Sequence, residues 1–246
     1  MSEAVFHFKK FDVSNSRSAL KVGTDGVLLG AASLFPSSVY PSSSRDCRVL
    51  DIGTGTGVVA LIMAQRADES GIHADITAID IDEDAAAEAA GNFAASPWAS
   101  SLTAKHSSLQ DYGNEREFDL IECNPPYFDS SLPAPDRQRN MARHTESLSY
   151  REVITFAGDF LAREGCLNLI LPKEEETRLI RFASSFGLYP ARILNIHTTS
   201  EKPPRRIVAS FIRDRRTPVR EELVMQDAGG CTQAYRDLTG PYYIGF

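Results

Sequence analysis

Asn124-Pro125-Pro126-Tyr127 gathers unusual chemistry into four residues. Asn124 carries an amide carbonyl on a backbone that the following proline keeps extended. Pro125 and Pro126 fix φ and remove two N–H donors, leaving carbonyl acceptors in a stiff loop. Tyr127 adds a flat ring. An acceptor pair beside a ring suits a planar amino group. The Asn124 side-chain oxygen and the Pro125 carbonyl would each take one N–H, and the ring would stack on a base. Asn-Pro-Pro is also an ordinary turn former, so the residues upstream decide between the two.

Those residues supply a second constellation. Arg48-Val49-Leu50-Asp51 reads as a strand, Gly53-Thr54-Gly55-Thr56-Gly57 as a tight turn, and Val58 to Ala67 as a helix. Glycines in a strand-to-helix turn let backbone approach a ligand closely. A dinucleotide fingerprint would be Gly-x-Gly-x-x-Gly. Here the third glycine, Gly57, comes one residue early, and Val58 holds the expected place. The strand also ends in the acid Asp51, which repels a pyrophosphate and attracts a sulfonium. This favours S-adenosylmethionine over NAD. Asp75 to Asp80 forms the next strand, and Asp80 is placed to bond ribose hydroxyls. The competing role for Asp80 is a helix N-cap, which Asp82 is able to share.

The elements that position these residues alternate. After a strand over residues 5–13, Lys21-Val22-Gly23-Thr24-Asp25-Gly26 leads into a helix capped by Thr24 or Asp25. Residues 36–46 are rich in Pro and Ser and read as a surface loop. It divides an appendage, residues 1–45, from a main domain, residues 46–246. Further strands are expected at 101–106, at Phe118 to Cys123, at 165–171, at 188–197 and at 206–211. Helices are expected at 83–95, from the capping box Ser149-x-x-Glu152 to Leu161, and from Pro172 to Gly187. Strand–helix alternation of this kind gives an α/β fold with a mostly parallel sheet. The tail after 211 carries no assigned element.

The chain has 246 residues, 42% hydrophobic and 24% charged, so its core needs neither disulfide nor metal. Cys47, Cys123, Cys166 and Cys231 are far apart and fit reduced thiols in a cytoplasmic protein. His7, His73, His106, His144 and His197 show no metal spacing. No signal peptide or membrane-spanning run is read. The formal charge of −7 argues weakly against nucleic acid. Three basic groups argue the other way: Arg137, Arg139, Arg143 and His144; Lys202, Arg205 and Arg206; and Arg213, Arg215, Arg216 and Arg220.

These features together resemble the class I S-adenosylmethionine-dependent methyltransferases that modify amino groups. Phe8-Lys9-Lys10-Phe11, Lys21 through Gly30, Arg143-His144-Thr145 and Lys202-Pro203-Pro204-Arg205-Arg206 narrow the resemblance to the bacterial valine-tRNA adenine-N6 methyltransferase family, over nearly the whole chain. The resemblance implies a Rossmann-like, seven-stranded, mostly parallel sheet with its last strand antiparallel and helices on both faces. It implies methylation of an adenine beside the anticodon of valine tRNA by a monomer that needs no metal. Asn124, Pro125, Pro126 and Tyr127 would form the catalytic site. Asp51, Gly53, Gly55 and Gly57 would line the cofactor, with Asp80 on its ribose. Lys21, Thr24 and Asp25 would stand near its methionine end. Ser108 stands where relatives often carry an acid against the cofactor adenine. The first two basic groups would grip tRNA in the anticodon loop.

Rival readings are a protein-glutamine methyltransferase, a DNA adenine methylase, a catalytically silent RNA-binding protein of the same fold, and an NAD dehydrogenase. The first normally carries a longer helical amino-terminal region, and the second a separate target-recognition domain. The third is opposed by the intact Asn124-Pro125-Pro126-Tyr127, and the fourth by Val58 and Asp51.

Overall fold

The computed structural model describes residues 5–18, 21–39, 46–113, 116–126 and 148–245. The chain opens with β1 (Val5–His7) and β2 (Asp12–Ser14), then α1 (Thr24–Ala32) and α2 (Pro36–Val39). The alternating core follows: β3 (Asp46–Ile52), α3 (Val58–Glu69), β4 (His73–Asp80), α4 (Glu83–Ala94), β5 (Leu102–His106) and β6 (Phe118–Cys123). Next come α5 (Tyr150–Phe160), β7 (Leu161–Pro172), α6 (Glu176–Ser185), β8 (Tyr189–Thr199) and β9 (Arg206–Ile212). The tail forms β10 (Val219–Asp227), β11 (Gly230–Cys231) and α7 (Gln233–Thr239).

One sheet has the order β11-β10-β8-β9-β7-β6-β3-β4-β5. Its seven strands from β8 to β5 are the expected core, with β9 antiparallel to both neighbours and the rest parallel. Two strands exceed the seven expected. β10 joins the edge parallel to β8 and turns back into β11. The difference has a physical cause: β10 begins with four exposed residues, Val219 to Glu222, and buries only Leu223. An edge strand with one buried side chain lacks the alternation that marks a half-buried strand.

A second difference lies at the amino end. Residues 5–13 form no single strand but an antiparallel hairpin that turns at Lys9 and Lys10. Phe8 bridges to Tyr243, and the Lys9 N–H donates to the Tyr242 carbonyl, so the two ends of the chain are joined. Pro36 to Val39, expected as loop, make one helical turn.

Central strands are buried on both faces and therefore read as mostly apolar runs, as at Leu167–Leu171, where Asn168 alone is polar. One face is covered by α1 and α3, with Val27, Leu61 and Ile62 in its core; the other is covered by α5 and α6, with Val153, Ile154 and Leu179. α1 approaches α3 closely. A Cβ on Gly30 would stand 2.8 Å from the Ile62 side chain.

A row of polar residues crosses this apolar sheet. Asp51 pairs with Glu122, Glu122 with Asn168, and Asn168 with Ser210, all at 1% exposure or less. Asn168 donates to Glu122 Oε1 at 2.9 Å and exchanges two bonds with the Leu34 backbone, fastening the end of α1 to the sheet. Ser33 Oγ lies 2.6 Å from Glu122 Oε2 and 2.8 Å from the Leu29 carbonyl. A hydroxyl has one proton and serves one of these oxygens. A protonated Glu122 satisfies both, donating to Ser33 while Ser33 donates to Leu29. Burial agrees, pushing the Glu122 carboxyl up from 4.5 to about 8 against the opposing bonds from Ser33 and Asn168.

The folded chain therefore keeps a proton on Glu122 that the unfolded chain gives up above about pH 4.5. Stability is expected to fall as pH rises from there to about 8 and then to level off. Glu122→Gln, whose amide makes both bonds without ionising, is expected to flatten this decline. Its advantage over the parent in denaturant unfolding should grow from about pH 5 to about pH 8. Parallel profiles for the two proteins would contradict a neutral Glu122.

Candidate active site

Three strand tips stand in a row. Ile52 of β3 is opposite Ile79 of β4 and Cys123 of β6. These paired tips lie about 4.8 Å apart across the sheet, and the next residues, Gly53, Asp80 and Asn124, follow them at the carboxyl edge. Both constellations read from the sequence therefore meet at one edge, where ligands of open α/β sheets bind.

The glycine turn is built by backbone rather than by side chains. Gly53, Gly55 and Gly57 have φ of 70, 55 and 84°, the left-handed region closed to most other residues. The Gly53 and Thr54 N–H groups donate to the Ile79 carbonyl, and Gly55 N–H donates to Asp80 Oδ2 at 2.8 Å. Gly57 is the N-cap of α3, and a Cβ there would meet the Phe93 ring at 2.5 Å. Among the described residues, Cβ atoms on Gly53 and Gly55 would meet only the Leu148 side chain at 3.5 Å and Ser18 Oγ at 3.7 Å, so this part of the turn is a shallow cradle.

Two acids flank the cradle differently. Asp51 is 1% exposed and lies under the turn, where Thr54 Oγ1 donates to it at 2.6 Å and the Ala60 N–H also bonds it. Burial pushes its carboxyl up to about 7, with Asp80 adding to the rise. Asp80 is only half-buried. Burial raises its pKa, while the Asp82 and Gly55 N–H groups oppose the rise. The N-cap role falls to Asp82, which accepts from Asp84 and Ala85, while the two Asp80 oxygens accept from the Gly55 and Asp82 N–H groups. Ile81, between them, is 56% exposed. It offers an apolar face next to the acid and was not singled out from the sequence. An apolar residue between two acids of a strand end was the available signal.

The remaining expected cofactor residues take varied places. Gly23, not Thr24 or Asp25, is the N-cap of α1, because glycine there needs no side-chain bond and Thr24 is already helical. Asp25 pairs with Arg206 Nε at 2.9 Å. Lys21 is exposed and its Nζ donates to the Asn15 carbonyl. Ser108 donates its hydroxyl proton to Asp111 Oδ2 at 2.7 Å and accepts the Asp111 N–H, leaving one lone pair for a further donor.

At the acceptor side, Asn124 is half-buried, Pro125 buried and Pro126 exposed. Tyr127, Arg137, Arg139, Arg143 and His144 lie outside the described residues. Lys202 and Arg205 are exposed on the β8–β9 connection. His197 steadies that connection, with Nδ1 on the Lys202 carbonyl and Nε2 on Glu222, both acceptors, and these bonds raise its pKa. Arg206 is drawn inward to Asp25. The third basic group is largely used internally: Arg213 donates to the Ala157, Gly158 and Leu161 carbonyls at the end of α5, Arg215 stacks on Tyr189 and Arg220 pairs with Glu176.

Because Gly57 combines a left-handed φ with a blocked Cβ, Gly57→Ala is expected to cost about 1–3 kcal/mol and to lower Tm by roughly 3–10 °C. Gly91→Ala, in α4 with nothing within 4 Å of the new Cβ, is expected to leave Tm unchanged or slightly higher. Equal thermal shifts for the two would contradict the geometry of the turn.

The chain matches the model of the Methyltransferase small domain family over residues 30–187. It is 40% identical over 245 residues to the tRNA1(Val) (adenine(37)-N6)-methyltransferase of Bacteroides thetaiotaomicron, covering 99% of each chain. It is 35% identical over 243 residues to the protein of the same name from Flavobacterium psychrophilum, covering 98% of this chain and 99% of that one. Among solved structures, a predicted O-methyltransferase from Agrobacterium tumefaciens superposes with a TM-score of 0.63 at 19% identity, over 87% of this chain and 95% of that one. The Pyrococcus horikoshii protein TYW2 in complex with MeSAdo superposes with a TM-score of 0.58 at 13% identity, over 87% and 72%. These structures share the class I methyltransferase fold. On its own motifs and on these relatives, the chain belongs to the Methyltransferase small domain family, in its branch of tRNA1(Val) (adenine(37)-N6)-methyltransferases.

Proposed function

We propose that this enzyme transfers a methyl group from S-adenosylmethionine to the exocyclic N6 of an adenine beside the anticodon of valine tRNA. The observation that carries the reading is the row Asp80, Gly53, Asn124 at one sheet edge. It supports reading a place for a nucleoside donor beside a place for a planar amino group. Relatives matched over nearly their full length carry that activity in their names.

The residues suit the donor. The backbone cradle at Gly53 and Gly55 admits close approach, the Asp80 carboxylate suits a ribose diol, and exposed Ile81 suits a flat ring. Asp51 acts from beneath by bracing the turn through Thr54. Lys21, Thr24 and Asp25 are read near the methionine end, and Ser108 near the adenine. When bound, S-adenosylmethionine supplies an electrophilic sulfonium methyl.

The chain's own residues do the rest. The adenine amino group is a weak nucleophile because its lone pair is delocalised into the ring. Asn124 Oδ1 and the Pro125 carbonyl accept its two N–H groups and draw the nitrogen toward tetrahedral geometry. They also stabilise the positive charge that develops there, so no strong base is needed, and the methylated nitrogen, now strongly acidic, gives its surplus proton to water. Tyr127 stacks on the base once it has left the anticodon-loop stack. Holding the reactants in line supplies much of the rate. Exposed Lys202 and Arg205, with Arg137, Arg139, Arg143 and His144, neutralise tRNA phosphates. The enzyme is read as a cytoplasmic monomer, in a compartment that keeps its four free cysteines reduced.

Purified protein, labelled donor and valine tRNA are expected to give N6-methyladenosine as the single modified nucleoside by mass spectrometry. Label on another base, or on protein glutamine, would contradict the reading. Asn124→Ala is expected to lower kcat by about 100-fold or more with donor Kd within about twofold. Unchanged turnover would remove Asn124 from the chemistry.

A further inference from the structure

Helix α4 carries Glu88 and Asn92 one turn apart, so both side chains leave the same face. Glu88 is 5% exposed, and a carboxylate so buried needs partners. It finds them in a distant stretch of backbone. Its Oε1 accepts from the Ser16 N–H at 2.6 Å, the Arg17 N–H at 2.9 Å and Ser16 Oγ at 3.2 Å. Its Oε2 accepts from the Ser18 N–H at 2.8 Å. Three successive amides thus converge on one carboxylate. Burial opposes its charge, but these donors outweigh burial and lower its pKa.

Asn92 holds the same stretch at its start and ties it to the glycine turn. Its Oδ1 accepts from the Ser14 N–H at 2.8 Å, and its Nδ2 donates to the Ser14 carbonyl at 3.1 Å and to the Thr56 carbonyl at 2.9 Å. At the other end Ser18, 2% exposed, places its Oγ 3.7 Å from the Cβ position of Gly55. Lys21 then reaches back to the Asn15 carbonyl. After Ser14 the stretch has no helix or strand of its own, so its shape is set by α4.

We propose that Glu88 is a positioning residue for the methyl donor: it holds residues 14–18 as a strap that walls the cradle at Gly55. The inference rests on the reading of that cradle as the donor site. Glu88 touches neither donor nor base. It acts by fixing this backbone against the turn.

The test is Glu88→Gln, which keeps size but sets an NH2 group against backbone N–H. Steady-state kinetics with valine tRNA are expected to show the S-adenosylmethionine KM raised about tenfold, with kcat at saturating donor and the tRNA KM within about twofold. Hydrogen exchange at residues 16–18 is expected to accelerate. A variant with lowered kcat and Tm but unchanged donor KM would overturn the proposal in favour of a purely structural role. So would accelerated exchange with unchanged donor KM. Asn92→Asp loosens the strap while leaving Glu88 in place. If Glu88→Gln does not fold, Asn92→Asp is expected to raise the donor KM likewise, and an unchanged value overturns the proposal. Failure of the parent protein to bind S-adenosylmethionine by calorimetry would instead overturn the donor-site reading, and this inference with it.

Discussion

Parallel pairing around β3 is the constraint on which the site depends. Because β4, β3 and β6 run the same way and share a register at Ile79, Ile52 and Cys123, their last residues emerge together. A two-residue slip of β6 would carry Asn124 roughly 7 Å along the strand. A one-residue slip would turn its buried side chains to the opposite face. The burial of Leu120, Ile121 and Cys123 against two different cores makes either slip costly. Hydrophobic packing well below the edge thus sets the spacing of polar groups at the edge.

One residue below the tips, the same register lines up Asp51, Glu122 and Asn168. Each ties the sheet to something above it: Asp51 to the glycine turn, and Glu122 and Asn168 to the end of α1. Arg66 of α3 adds bonds to the Gly30 and Ser33 carbonyls. Most buried polar groups are held by hydrogen-bond partners, and losing one is costly. This belt is therefore stable in one arrangement of sheet, turn and helix. The strap at residues 14–18 follows the same logic with backbone donors and a carboxylate, and the Asp25–Arg206 pair links the start of α1 to the start of β9.

The parts of this fold that were legible in the sequence are those set by local chemistry. Strand–glycine–helix order, the capping box at Ser149 and Glu152, and the strand ending at Asn124 all follow from neighbouring residues, and each stands where expected. Long-range pairings were not legible. Nothing near Glu88 announces a partner some seventy residues away, and Arg206, grouped with Lys202 and Arg205 by proximity in sequence, turns inward to a helix start 181 positions earlier. The tail strand β10 leaves no alternating pattern, because its burial comes from one leucine. The amino-terminal hairpin looks like one strand in sequence, because two lysines at its turn fit an alternating pattern as well as a reversal.

On the proposed reading, donor and acceptor sites adjoin at three strand tips. The most direct measurement is a crystal structure with S-adenosylhomocysteine and adenosine monophosphate bound together. The account predicts the donor ribose hydroxyls on Asp80 and the adenine amino group within hydrogen-bond distance of Asn124 Oδ1 and the Pro125 carbonyl. Either molecule bound away from this edge, or an adenine whose amino group faces away from Asn124, would contradict it.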